Sequence, residues 1–451
     1  MVAMETVNLR EAVMQSFTSI GPMLDFIALF SIIALYSGSM LPFVVIFSFL
    51  LSYFTLYTIY SFSRVYVTNG GYYSYAGNGL GKGAGFLVLI LYIGYSALTV
   101  PNISIFISGF LYSILQLFGF QGAYIEYIFL FAFTETVYFV VSRSFRTSIK
   151  YTLIAGFLEI AFVISMSIIF LIFRSPDFSF SGIKFSFNPF FFGVIFGILA
   201  FSGGGSSIFL SEETSKAHMN TPKSLLISFT ISGLIMIFSA FALLMFAGYH
   251  GLSLYESNSF YITELVRARL GVPFLIIFST FGLMSAFNLS VSYLNAFVHM
   301  MPKFYNDFNI KKNFSKNKFM LGLFIFSIVI SLISIHYVGF FDSFVIIAGI
   351  ISFLYIIIHI ISNMSLIRIF RKQKFFLPFL SSVILSIAFI LSFYGNTGYF
   401  AVINYLLLGY ISFSIILVIY VKKVRHEFYK KIRFEYLDMV NNAPENNNDL
   451  K

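Results

Sequence analysis

A chain of 451 residues has the length of about three soluble domains, yet 59% of it is hydrophobic and only 10% charged, against about 25% charged in ordinary soluble domains. That composition cannot clothe a water-exposed globule and excludes a soluble architecture. With no cysteine, disulfides, thiolate nucleophiles and cysteine-held metal sites are excluded too, the histidines show no paired metal spacing, and the net charge of +10 lies in short runs between apolar segments rather than in a nucleic-acid-binding stripe.

Apolar stretches able to cross a hydrocarbon core of roughly 30 Å occur near 12–37, 40–62, 84–118, 123–142, 149–173, 189–211, 223–248, 272–301, 318–338, 341–366, 375–394 and 398–421. The expected fold is an all-α polytopic membrane protein with twelve transmembrane helices. Residues Met1 to Val13 carry Glu5, Arg10 and Glu11 without a short apolar core, so no signal peptide is expected to be removed. The third stretch is too long for one upright helix and too short for two, which predicts a tilted or projecting helix kinked at Pro101. Residues 252–270 set Leu265, Val266 and Leu270 among Glu264, Arg267 and Arg269 and read as a short helix on the outer face, and Asn441–Lys451 reads as a disordered tail. With both termini inside, only Arg174, Lys184, Arg267 and Arg269 of the 28 basic residues fall outside, the bias expected of a plasma-membrane protein with cytoplasmic ends.

Two spans are interrupted. In the first, Ser19-Ile20-Gly21-Pro22 places a glycine before a proline that has no N–H and clashes with the carbonyl of Thr18. A new half-helix starting at Pro22 leaves the amides of Met23 and Leu24 unpaired and suited to an anion. In the sixth, Phe201-Ser202-Gly203-Gly204-Gly205 precedes Ser206 and Ser207. Three glycines weaken an α-helix by about 1 kcal/mol each, the serines can cap a restarted half, and the carbonyls near Leu199 to Ser202 would suit a cation. Non-helical backbone at membrane depth is tolerated only beside protein or a wet cavity. Five spans begin with each broken one, and five is odd, so the second set is inverted relative to the first, the plan of many secondary transporters. The repeats are then 1–173 and 189–366, followed by a helix pair at 375–421 and a tail at 422–451.

The segment Ser63-Arg64, Gly70-Gly71-Tyr72-Tyr73-Ser74-Tyr75, Gly81 and Gly85-Phe86 resembles the second-to-third-span loop of the amino acid/polyamine/organocation superfamily of permeases. Phe201-Ser202-Gly203 with Glu212-Glu213 and Pro222-Lys223 is similar to the same family's sixth-span stretch. The resemblance implies an alternating-access carrier that holds an amino acid's carboxylate at the first break and its amino group at the second. Gly204 and Gly205 depart from it where relatives often carry an apolar residue and then an acid. Candidate substrate-binding residues are thus Ser19, Ile20, Gly21, Pro22, Met23 and Leu24, then Phe201, Ser202, Gly203, Gly204 and Gly205, with Tyr95 on the third span. No charge stands opposite a substrate side chain unless Asp25 supplies it, which favours a neutral amino acid.

Asp25, Glu135 and Glu159 lie within apolar spans whose interiors hold no lysine or arginine. A carboxylate in low dielectric takes up a proton or finds a cation, so Glu159 and then Asp25 are the candidate proton carriers, while Glu135 reads as snorkelling toward Arg143. Sodium, the alternative coupling ion, would want oxygens such as those of Ser285, Ser290 and Ser292 with carbonyls of Phe17 and Thr18. His359 reads as a hydrogen-bonded packing residue or a relay. The function expected is secondary active transport of an amino acid, proton-coupled, with sodium symport or exchange as the alternatives on this fold. No cofactor, metal or nucleic acid is expected. A channel would need a continuous polar pore, and a membrane-embedded enzyme would cluster acids or histidines, whereas Glu212-Glu213 reads as a helix-end gate.

Overall fold

The computed structural model describes residues 6–122, 124–143, 145–183, 185–370, 375–394 and 398–435. The tail from Asn441 and part of the segment read for a signal peptide lie outside them. Helix α1 (Leu9–Ile20) opens with a reciprocal cap: Asn8 Oδ1 accepts the Glu11 amide at 3.1 Å and Glu11 accepts the Asn8 amide at 2.9 Å. Glu11, although buried, pairs with Arg146 at 3.1 Å. After Gly21 come α2 (Pro22–Ile27), α3 (Leu29–Ser37) and α4 (Leu41–Ser63), then the short α5 (Tyr72–Leu80). Helix α6 (Lys82–Leu117) has 36 residues and carries Pro101 without interruption. At 1.5 Å per residue it is about 54 Å long, longer than a bilayer core is thick.

Helices α7 (Ile125–Arg143), α8 (Phe145–Ile172) and α9 (Phe187–Ala200) lead into a 3-10 helix at Ser202–Glu213. Then follow α10 (Ala217–Ser257), α11 (Tyr261–Asp307), α12 (Lys316–Val338), α13 (Phe340–Phe370), α14 (Phe376–Tyr394), α15 (Tyr399–Lys423) and α16 (His426–Lys431). The expected single helix over 252–270 is instead two pieces. Gly248 (φ 68°) bends α10 and Gly271 (φ 82°) bends α11, so each long helix turns its end over that face of the bundle, with a turn between them at 258–260. Ten helices among the described residues are long and apolar enough to cross a membrane. The first span misses that criterion because it is broken, and the eleventh because its apolar stretch, Phe376–Leu391, is shorter. The described residues contain no strand, only one bridge between Val7 and Thr214.

Helix α1 and the 3-10 segment pack on each other at the centre, with α8, α10 and α11 around α1, α6 against α13, and α3 against α9. Both chain ends meet at one end of the bundle, the terminal end. There Asn69 donates to Glu213 at 2.8 Å, His299 sits 3.3 Å from Glu213, and Lys303 bridges to Asp307 at 3.2 Å and Glu212 at 3.9 Å. Arg433 N–H donates to the Asp307 carbonyl at 2.8 Å. The Phe434 ring fills a notch where a Cβ on Gly77 or Gly85 would meet it at 2.2 or 2.4 Å. Polar pairs and an inserted ring link α5, α6, α11 and the tail at this end, and Glu212 and Glu213 lie among them.

Candidate functional site at the paired helix breaks

Gly21 adopts φ 67°, ψ 59° and donates to the Phe17 carbonyl at 3.2 Å, ending α1 so that Pro22 can begin α2. Only glycine takes this conformation without penalty. The expectation that the amides of Met23 and Leu24 stand free is corrected here. Met23 N–H donates to Glu159 Oε1 at 3.1 Å and Leu24 N–H to Ser285 Oγ at 3.0 Å. Ser285 Oγ in turn donates to Glu159 Oε1 at 2.6 Å, and Asn288 Nδ2 to Oε2 at 3.3 Å. The anion at the first break is therefore the protein's own carboxylate, reaching in from α8. Glu159 is fully buried and has no basic partner among the described residues, so it finds the orphan donors that a broken helix exposes.

At the second break α9 ends at Ala200, but no α-helix restarts at Ser206 or Ser207. The chain winds more tightly through Ser202–Glu213, with Phe201 N–H donating to Ile198 O and Gly204 N–H to Phe201 O, both at 3.2 Å. Bonds of the i→i+3 kind satisfy carbonyls that a clean break would leave free, so this site holds fewer orphan acceptors than the sequence implies. The serines tie the two breaks together instead of capping. Ser206 and Ser19 hydroxyls lie 2.7 Å apart, each within reach of the Gln15 carbonyl, and Ser207 N–H donates to Ser16 Oγ at 3.1 Å. Gly203 is the point of closest approach: a Cβ there would lie 1.8 Å from the Ser19 carbonyl oxygen.

A cavity of about 50 Å³ opens beside the breaks on the side away from the termini. Of the residues singled out in the sequence, Ser19, Ile20, Leu24, Asp25 and Ser202 line it. The others stand behind the wall. Met23 is turned to Glu159, Gly204 and Gly205 face Phe229 and Tyr72, and Phe201 is packed between Phe49 and Phe229. Gly21 packs on Leu289, while Pro22 is spent on starting α2. Tyr95 is one hydroxyl removed: it bonds Tyr293 at 2.5 Å, and Tyr293, held also by Ser202 at 2.8 Å, lines the cavity.

Asn102 and Thr99, also in the wall, escaped the sequence reading. The signal was present, because 95, 99 and 102 follow the i, i+4, i+7 spacing that puts three polar groups on one face of α6. Asp25 is 2% exposed and Asn102 6%, and neither Asp25 Oδ2 nor Asn102 Oδ1 has a hydrogen-bond partner. Glu135 lies elsewhere, in a surface groove between α7 and α12 that Arg143 also lines. His359 is buried with neither ring nitrogen bonded, packed by Tyr355 and Tyr72 at 4.2 and 5.1 Å between ring centres, so the hydrogen-bonded reading is corrected to an aromatic cage. Of the serines weighed for sodium, Ser285 is engaged with Glu159 and Ser292 with Thr18 Oγ1 at 2.7 Å.

The fold has a solved counterpart. The crystal structure of the Eremococcus coleocola manganese transporter, in complex with an aromatic bis-isothiourea substituted compound, aligns with a TM-score of 0.56 at 15% identity over 93% of this chain and 95% of that one. At that identity the likeness speaks for the fold alone. No curated protein matches the sequence. The family model for amino acid permeases matches residues 9–421, from the first capped turn to the last span, and the chain belongs to that family.

Proposed function

We propose that this permease is a secondary active transporter that carries a neutral amino acid across the plasma membrane by alternating access, with both termini in the cytoplasm and protons as the coupling ion. The observation that carries this reading is the cavity at the two apposed breaks, polar at Ser19, Asp25, Thr99, Asn102, Ser202 and Tyr293 and otherwise walled by apolar side chains such as Ile20, Leu24 and Leu289. The cavity lies beside the breaks, and the Glu213–His299 and Lys303–Asp307 pairs lie at the terminal end. Glu159 is the proton carrier in this scheme. It joins the hinge of the first span to α8 and α11 through Met23, Ser285 and Asn288, so a change in its charge acts directly on the break.

The test is uptake of radiolabelled neutral amino acids into proteoliposomes of the purified protein, with and without an inward pH gradient and with sodium replaced by potassium. Accumulation that follows the pH gradient and ignores sodium is expected. Accumulation that follows sodium, or no amino acid uptake under any gradient, would overturn the reading. Glu159→Gln should retain exchange, which needs no empty deprotonated return step, and lose net accumulation.

A further inference from the structure

The last span runs directly into a basic segment. Ile419 and Tyr420, near the end of α15, are each 47% exposed on the outside of the bundle, where such side chains meet lipid at the membrane boundary. Lys422 and Lys423 complete the last turn of α15, Arg425 leads into α16, and Lys430, Lys431 and Arg433 follow, all of them exposed. Two acids stand among them: Glu427, which pairs with Lys430 at 3.2 Å, and Glu435.

The other side of the segment is committed to the protein. Ile432 is fully buried, Phe428 lies against Phe308 with ring centres 6.3 Å apart, and the Phe434 ring occupies the notch at Gly77 and Gly85. Lys82 Nζ donates to the Lys430 carbonyl at 2.5 Å, and Arg433 N–H to that of Asp307 at 2.8 Å. A basic amphipathic segment ordinarily binds a membrane by sinking its apolar face among the acyl chains. Here that face is taken by α5, α6 and the end of α11, so charge alone is left for the membrane. The backbone that presents it is already held in place, which removes the ordering cost a free tail would meet on binding.

We propose that the exposed face of residues 422–433 is a docking surface for anionic lipid headgroups of the adjoining leaflet, whose phosphates are held by Lys422, Lys423, Arg425, Lys430 and Lys431. Two observations select lipid over a soluble acidic protein. The basic run begins two residues after lipid-exposed Tyr420, and Val424 is its only exposed apolar side chain, whereas protein partners are gripped at apolar and aromatic anchors. Because the buried side of the segment pins α5, α6 and α11, lipid bound on one face secures the packing on the other. The surface rests on the orientation proposed above only for which leaflet it faces. In a nanodisc both leaflets are alike, so failure of the surface and failure of the orientation are distinguishable.

The test uses the full-length protein in nanodiscs. The chain has no cysteine, so a fluorophore on Val424→Cys, a site 62% exposed between Lys423 and Arg425, reports from one place. The probes are phosphatidylglycerol and phosphatidylcholine at equal mole fraction, one or the other carrying a nitroxide on its acyl chain near the headgroup. Labelled phosphatidylglycerol should quench at least about fivefold more strongly, the factor that a single lysine or arginine supplies at an anionic surface. The preference should fall to parity at about 1 M NaCl, where charges are screened beyond about 3 Å. It should also vanish when Lys422→Gln, Lys423→Gln, Arg425→Gln, Lys430→Gln and Lys431→Gln are combined. In phosphatidylcholine alone this variant and its parent should melt together, because the altered side chains are exposed, and with phosphatidylglycerol the parent should melt higher. Equal quenching by the two lipids in the parent, or a preference that survives in the variant, would overturn the proposal. Loss of the preference on adding inorganic phosphate at constant ionic strength would overturn it in favour of a free anion. Capture of poly-L-glutamate in phosphatidylcholine nanodiscs, with no preference between the lipids, would overturn it in favour of a soluble acidic partner.

Discussion

At the first break helicity stops at one residue. Gly21 turns into the left-handed region, Pro22 starts afresh, and the exposed amides are claimed by groups from α8 and α11. At the second, the chain rewinds as a 3-10 helix, kinked at Leu210, whose i→i+3 bonds meet part of its own backbone while α1 and Asn69 meet the Ser207 and Glu212 amides. Proline is what separates them. It deletes an N–H and forces an interruption that must be mended from outside, while glycines only lower the cost of a different winding. The first break is therefore a place where a distant residue can exert control, and the second a tightly wound segment fastened beside it.

The largest effect is expected where the two touch. Gly203→Ala puts a methyl group into the Ser19 carbonyl and should abolish uptake and lower the melting temperature. Gly204→Ala meets only the edge of the Phe229 ring at 2.6 Å, which can yield, and should keep measurable uptake. Equal losses in both would show that the breaks do not meet as described. Glu159→Ala comes next, because it strands the Met23 amide and the Asn288 side chain, each worth about 1–3 kcal/mol when buried and unsatisfied. Glu159→Gln retains an acceptor and should cost about 1 kcal/mol, read by denaturation in detergent. An Ala variant as stable as the Gln variant would mean that the first break mends itself.

Ser206→Ala removes one fastening of the second break and should cost about 1 kcal/mol while leaving substrate affinity within a few-fold. A loss as large as that of Glu159→Ala would make the wound segment as dependent on outside help as the hinge. The smallest effect lies outside both breaks, at Asp177. Burial pushes its carboxyl up, but hydrogen bonds from the Ser175 hydroxyl and from backbone N–H groups including that of His250 outweigh this and hold it below its ordinary 3.8. A group lowered in the folded state favours folding above its ordinary value and loses that contribution as pH falls through the folded one. A nitroxide on Ser181→Cys should therefore keep constant mobility from neutrality to about pH 4 and loosen only below it, and Asp177→Asn should make it looser and indifferent to pH.

Spans, their number and the two interruptions were legible because their causes are local: runs of apolar residues, a glycine before a proline, three glycines in a row. What fills an interruption is not local. Glu159 lies 136 residues from Met23 and Tyr293 lies 198 from Tyr95, and no periodicity in a single helix announces such a meeting. The rewinding of Ser202–Glu213 was hidden for a related reason, since it is set by how closely Ser19 approaches Gly203 and not by glycine content. Asn102 could have been found, as its spacing from Tyr95 and Thr99 was in plain view, but a polar residue beside a proline draws the eye to the kink.

The ring of Phe434 in its glycine notch makes the polypeptide's tail a tethered ligand of its own transporter. The notch is built from α5 and the first turn of α6, so a movement that parts these helices dissolves the socket, and by thermodynamic reciprocity occupancy of the socket opposes that movement. Only α16 and a few further residues separate the ring from the last span, a short link that keeps its effective concentration high. Half-buried as it is, the ring contributes about 1–2 kcal/mol to holding α5 against the first turn of α6. Truncation before Ile432, or Phe434→Ala, should therefore loosen the packing of α5 on the first turn of α6, read as a lower melting temperature.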